Sequence, residues 1–232
     1  MVPAIHIFWT RVQALAWVPA LAWCALAGDS ASTRGYVVAG IAATLVSLAG
    51  VLGAPRSLAD VVTLLRAALA VAVVGAPWWL GEHAWWAWSL LALALLGDLL
   101  DGAIARRLGG SSQGALLDME CDQLTVLAMS WMVVARGGLA YVLLLPAMRY
   151  LFVLAAWSVS MPASDPKPID GGNRRGRAVC AAVVVALLLA LTPSTPIGLT
   201  NALTGVAVGL LSWSFASDWI YLFARRRPEV RT

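Results

Sequence analysis

Long apolar runs broken by short polar turns set the rhythm of this chain. The first run extends from Phe8 to Ala27 and the second from Tyr36 to Gly53, with the polar turn Gly28 to Arg34 between them. A third covers Leu58 to Ala76. Past a tryptophan-rich stretch, Pro77 to Trp88, the pattern predicts helices over about Ala84 to Arg107, Gln113 to Ala135, Leu139 to Ser160, Ala178 to Leu191 and Gly198 to Ala224. A helix that crosses a bilayer needs about 20 apolar residues. The run beginning at Ala178 is short by that measure, and Pro193 with Pro196 marks the turn after it. The expected fold is all-α, a polytopic transmembrane helical bundle. A six-helix core at 58–224 follows two extra hydrophobic helices of unassigned role in 1–57 and precedes a basic tail at 225–232.

Composition points the same way. Of 232 residues 61% are hydrophobic and 12% charged, with mean hydropathy +0.81. That is about half the charge of a soluble domain, so the class is an integral membrane protein. The net charge of +4 then concerns topology and anionic lipid headgroups rather than nucleic acid. With eight helices alternating, twelve of the sixteen basic residues fall on one side, among them Arg11, Arg56, Arg106, Arg107, Lys167 and the Arg225 to Arg231 group. Only Arg34 and Arg136 fall on the other. The positive-inside rule therefore assigns both termini and the Arg107 to Gln113 turn to the cytoplasm, in a bacterial inner membrane. Ala25-Leu26-Ala27 resembles a signal-cleavage site, but no basic cluster leads the run, which favours a retained helix. Trp78, Trp79, Trp85, Trp86 and Trp88 read as an interfacial belt.

Against this background one stretch stands out. Gly97 to Leu124 holds five of the chain's twelve acidic residues between apolar runs. An ionisable group in a membrane segment is expensive, so it marks function, and several carboxylates together suit a divalent cation. Asp98 and Asp101 are three apart, Asp118 and Asp122 four apart, and either interval puts both side chains on one helix face. Two helices joined by a tight turn can aim all four at one point. Gly102 and Gly114 beside them would let a ligand approach the backbone closely.

The residues Asp98, Asp101, Gly102, Ala105, Arg106, Gly114, Asp118 and Asp122 resemble the signature of the CDP-alcohol phosphatidyltransferases, DxxDGxxAR followed by GxxxDxxxD. The resemblance covers about residues 58 to 224. The spacer, Arg107 to Gln113, is one residue shorter than is usual in that family. Family members often open their first core helix with Asn-x-x-Thr-x-x-Arg, where this chain has Asp60, Thr63 and Arg66. Asp60 is open to three readings: a helix cap, a metal ligand, or a partner of Arg66.

The resemblance implies a membrane enzyme of phospholipid biosynthesis. It would transfer a substituted phosphate from a CDP-alcohol, with CDP-diacylglycerol as the expected donor, to a second alcohol and release CMP. Asp98, Asp101, Asp118 and Asp122 would bind one or two divalent ions, Mg²⁺ or Mn²⁺, with Asp122 as general base. Gly102, Ala105, Arg106, Gly114, Thr63 and Arg66 would hold CDP. The resemblance also allows a homodimer.

Arg149 lies within an apolar run, too deep to snorkel easily, and is expected to line a polar cavity. The loop Met161 to Arg177 ends in Asn-Arg-Arg-Gly-Arg, which is either a cytoplasmic loop obeying the charge rule or an anion site. If the latter, Arg149, Arg174, Arg175 and Arg177 are acceptor-binding candidates and the acceptor is a phosphorylated polyol. Three cysteines with no CxxC imply no disulfide framework. Glu120 points away from the Asp118 and Asp122 face, and His6 and His83 are expected in water-exposed or interfacial positions. Three other readings stay open: a CDP-choline-type or CDP-inositol-type headgroup transferase with a lipid acceptor, a divalent-cation transporter, and a noncatalytic scaffold.

Overall fold

A computed structural model describes residues 4–53, 57–75, 83–108, 112–159 and 174–225. Among the described residues the regular structure is helical: α1 (Ala4–Ala27), α2 (Ala31–Leu52), α3 (Leu58–Gly75), α4 (Ala84–Leu108), α5 (Ser112–Ala135), α6 (Leu144–Ser158), α7 (Arg174–Ala190) and α8 (Ile197–Arg225), with a 3-10 turn, Ala140–Leu143, leading into α6. The expected helical membrane bundle is present. Ala31–Leu52, Ala140–Ser158 and Ile197–Ile220 are each long and apolar enough to cross a membrane. α3 and the first half of α5 cannot read as uniformly apolar, because they carry Asp60, Arg66, Asp118, Glu120 and Asp122. The short seventh helix starts at Arg174, earlier than the apolar run suggested, so its basic N-terminus is helical.

The sequence explains where the helices stop. Ser57 caps α3: its hydroxyl accepts from the Asp60 amide at 3.1 Å, while the Asp60 carboxylate accepts from the Ser57 amide at 3.1 Å. That reciprocal pair satisfies two otherwise orphaned donors. At the end of α5 the Gly137 amide bonds Val134 and the Gly138 amide bonds Val133, both at 2.9 Å. Gly137 sits at φ +87°, and a Cβ on Gly138 would lie 2.7 Å from the Val133 carbonyl oxygen, so only glycine suits this close.

α5 is the hub. It packs against α2, α3, α6 and α7, and from Leu127 to Val134 every residue is buried. A helix apolar all round belongs in the middle of a bundle. α1 packs on α6 and on α2, α3 on α4 and α5, and α7 on α8. The two N-terminal helices are therefore part of the same packed body. Where α1 meets α2, Trp17 donates to Thr44 at 3.1 Å and Trp9 to Ser47 at 3.0 Å. Gly40 leaves room for the Trp17 ring, which a Cβ would meet at 2.8 Å.

Away from the acidic motif, neutral groups and one arginine close the bundle. Arg136 Nη1 donates to the Leu191 carbonyl at 2.6 Å, closing the C-terminal end of α7, and the Leu139 amide donates to Asn201 Oδ1 at 3.0 Å. Carbonyls at a helix C-terminus carry partial negative charge, so a guanidinium is a natural partner there. Burial pulls Arg136 below its ordinary value, but an arginine keeps its charge.

Candidate active site

The acidic motif spans the end of α4 and the first half of α5. Asp98, Asp101, Gly102, Ala105 and Arg106 belong to α4, with side chains outside the described part of the structure. The helix places Asp98 and Asp101 one turn apart, as their spacing predicts. On α5, Gly114, Asp118 and Asp122 follow at intervals of four and share a face.

That face looks at α3. Arg66 Nη2 lies 3.0 Å from Asp118 Oδ1 and 2.7 Å from Asp122 Oδ1, so one nitrogen bridges both carboxylates. The arginine side chain is only 3% exposed, whereas the two aspartates are 45% and 52% exposed. The guanidinium is thus held in the protein and the carboxylates keep a side open to ligand. Thr63, buried, lies one turn before Arg66 on α3. Asp60 is buried too, and of its three readings the cap is observed.

Glu120 falls on the opposite side of α5, because two residues turn a helix by about 200°. It is 2% exposed. Arg149 of α6 bonds it through Nη2 and reaches the Met119 carbonyl through Nη1 at 3.2 Å. His6 of α1 completes the surroundings, with Nε2 3.4 Å from Glu120 Oε1. This corrects the expectation that His6 is exposed or interfacial: it is 4% exposed. A carboxyl group inside the bundle needs polar neighbours, and the turn of α1 nearest to Glu120 supplies one. No signal in the sequence joins residue 6 to residue 120, so this contact was not foreseen. His83 is exposed, as expected.

Of the acceptor candidates, Arg149 has the partner just described. Arg175 is bound to Asp218 of α8 and lies 5.5 Å above the Trp213 ring. Arg177 is exposed, and the Arg174 side chain lies outside the described part. Cys180 lies exposed one turn beyond Arg177. As a whole, α7 packs against α8 and α5. Most of the loop before Arg174 lies outside the described residues.

Residues 56–216 match the family model for CDP-alcohol phosphatidyltransferase. The chain belongs to that family. The match begins just before α3 and ends within α8, leaving α1 and α2 outside it. A phosphatidylinositol phosphate synthase of Mycolicibacterium smegmatis is 44% identical over 70 residues, which is 28% of this chain and 29% of that protein. No solved structure matches the chain.

Members of this family are transferases of phospholipid synthesis that pass a substituted phosphate from a CDP-alcohol to a second alcohol. The match favours the enzyme over the transporter reading. CDP-alcohol phosphatidyltransferases generally depend on a divalent metal. The donor set fits one: Asp118 and Asp122 offer hard oxygens, half-exposed, converging on a single cationic nitrogen. Among the described residues no group of three or more potential ligands forms, and the side chains of Asp98 and Asp101 are not among those described.

Proposed function

We propose that this CDP-alcohol phosphatidyltransferase takes CDP-diacylglycerol as donor and a phosphorylated polyol as acceptor, releasing CMP. The observation that carries the proposal is the Arg149 guanidinium, tied to the motif helix α5 through Glu120 and the Met119 carbonyl with 17% of its side chain left exposed. A neutral alcohol has no use for guanidinium groups beside the attacking hydroxyl, whereas a phosphate bonds them in bidentate fashion. The named activity of the mycobacterial relative, phosphatidylinositol phosphate synthesis, is in keeping with that chemistry.

In this reading Asp98, Asp101, Asp118 and Asp122 hold one or two Mg²⁺ or Mn²⁺ ions. Held there, such an ion would supply charge neutralisation of the diphosphate and Lewis-acid polarisation at phosphorus. Asp122 takes the proton of the acceptor hydroxyl, whose oxygen bonds to the β-phosphorus as the phosphorus–oxygen bond to CMP breaks. Gly102, Ala105, Arg106, Gly114 and Thr63 hold the nucleotide. Arg66 belongs to the same group, and its bridge to Asp118 and Asp122 keeps both carboxylates aimed at one point. Arg149, Arg174, Arg175 and Arg177 receive the acceptor phosphate.

Two experiments test the proposal. Acceptor KM and CDP-diacylglycerol KM are measured for Arg149→Ala and Arg175→Ala. Loss of one charged bond to phosphate, about 1.5 to 3 kcal/mol, should raise acceptor KM about tenfold or more while sparing the donor. Unchanged acceptor KM in both variants, or a wild-type enzyme that uses only uncharged alcohols, sinks the phosphorylated-acceptor reading. The site is further proposed to face the cytoplasm. Cysteines placed at Ser111 and Ser164 should then react with impermeant reagent from the cytoplasmic side alone, and one at Ser194 from the other side alone.

A further inference from the structure

We propose that α1, which the family match leaves out, completes the acceptor side of the site. His6 is a positioning residue that steadies Glu120 and, through Glu120, the Arg149 guanidinium. The inference rests on the reading of Arg149 as an acceptor contact.

Glu120 is sealed at 2% exposure, and two helices far apart in sequence converge on its Oε1. Arg149 supplies one cation and also bonds the Met119 carbonyl, so its guanidinium is fixed along the edge of α5. His6 presents Nε2 to the same oxygen at 3.4 Å, and that nitrogen has no hydrogen-bond partner among the described residues. Arg149 keeps 17% of its side chain exposed, against 5% for His6 and 2% for Glu120. Of the three, only the arginine is placed to meet a ligand. The other two can act on the reaction only through it.

The imidazole is itself braced. Its ring stacks on Trp9, with centroids 5.9 Å apart and planes at 26°, and Trp9 donates to Ser47 of α2 at 3.0 Å. Arg11 adds a second tie, sitting 5.2 Å over the Trp157 ring of α6. The two N-terminal helices thus hold His6 from one side while α6 holds Arg149 from the other. An apolar contact would pack α1 onto α5 without the cost of desolvating polar groups. Orientation of a guanidinium is what the polar chain adds, since a carboxylate held on both flanks cannot swing and take the arginine with it.

The test uses the full chain in detergent with CDP-diacylglycerol, and as acceptor whichever of inositol phosphate, glycerol phosphate, inositol or serine the wild type uses. His6→Ala should raise acceptor KM about fivefold and leave CDP-diacylglycerol KM within about twofold. His6→Gln, which restores an N–H toward Glu120, should recover most of the loss. If His6→Ala does not fold, His6→Phe keeps the stack on Trp9, lacks the N–H and carries the same expectation. The double variant with Arg149→Ala should be no worse than Arg149→Ala alone, because both act on one contact. Arg149→Ala raising acceptor KM while the His6 variants do not, additive effects in the double variant, or equal shifts in donor and acceptor KM would each overturn the role of His6. If Arg149→Ala itself leaves acceptor KM unchanged, the acceptor reading has failed and the His6 proposal falls with it.

Discussion

The two faces of α5 make opposite use of the same pairing. On one, Arg66 is buried and its partners Asp118 and Asp122 are about half exposed. On the other, Glu120 is buried and the arginine, Arg149, is the more exposed partner. What differs is which charge is left within reach of a ligand. The first face offers carboxylates, suited to a cation and its diphosphate. The second offers a guanidinium, suited to an anion. Carboxylates only two positions apart on one helix thereby leave opposite charges open on its two sides.

The sharpest way to break this comparison is to remove charge from the first face. Asp122→Asn should lower CMP release by about two to four orders of magnitude, with little loss of melting temperature in detergent, because the carboxylate is half exposed. EDTA should silence the wild type, and Mg²⁺ or Mn²⁺ should restore it. Full activity of the variant would remove Asp122 from the chemistry.

The second face should answer in stability first. Glu120→Ala strands Arg149 inside the bundle, and breaking a buried pair costs about 3 kcal/mol or more. Asp118→Ala should cost less than about 1 kcal/mol by the same measurement, denaturant or thermal unfolding in detergent. Equal losses from the two variants would mean that the faces do not differ in the way their exposure implies.

Arg136 supplies the control away from the motif. Arg136→Ala removes the donor to the Leu191 carbonyl at the end of α7. A loss of about 1.5 kcal/mol is expected, with donor and acceptor KM both unchanged. A tenfold rise in either KM would show that the α7 end is coupled to the acidic site. Gly40→Leu should be milder still in activity: it disturbs Trp17 and the α1–α2 contact, seen as a lower melting temperature, while CDP-diacylglycerol KM stays put.

Much of the architecture was legible beforehand, because apolar run length and turn chemistry act locally. The runs Leu58 to Ala76 and Gln113 to Ala135 became α3 and α5 almost residue for residue. Gly137 and Gly138 close α5 through bonds within the chain's own last turn. Asp118 and Asp122 share a face for the same reason, since an interval of four does so whatever the surroundings. The second and seventh helices were the least accurate, since Ser32, Thr33 and Arg34 in one and Arg174, Arg175 and Arg177 in the other hide a helical turn from a search for apolar residues.

By itself, then, the sequence determined the helices, their membrane character and the acidic motif, all consequences of spacing along one chain. Only the tertiary structure decided which charge meets which. Arg66 lies 52 and 56 residues from its two aspartates, and His6 meets Glu120 across three intervening helices of sequence. No periodicity encodes such distances. A buried charge must find a partner, but which partner depends on how the helices pack around α5, and that is settled by the apolar surfaces they share rather than by the charged residues themselves.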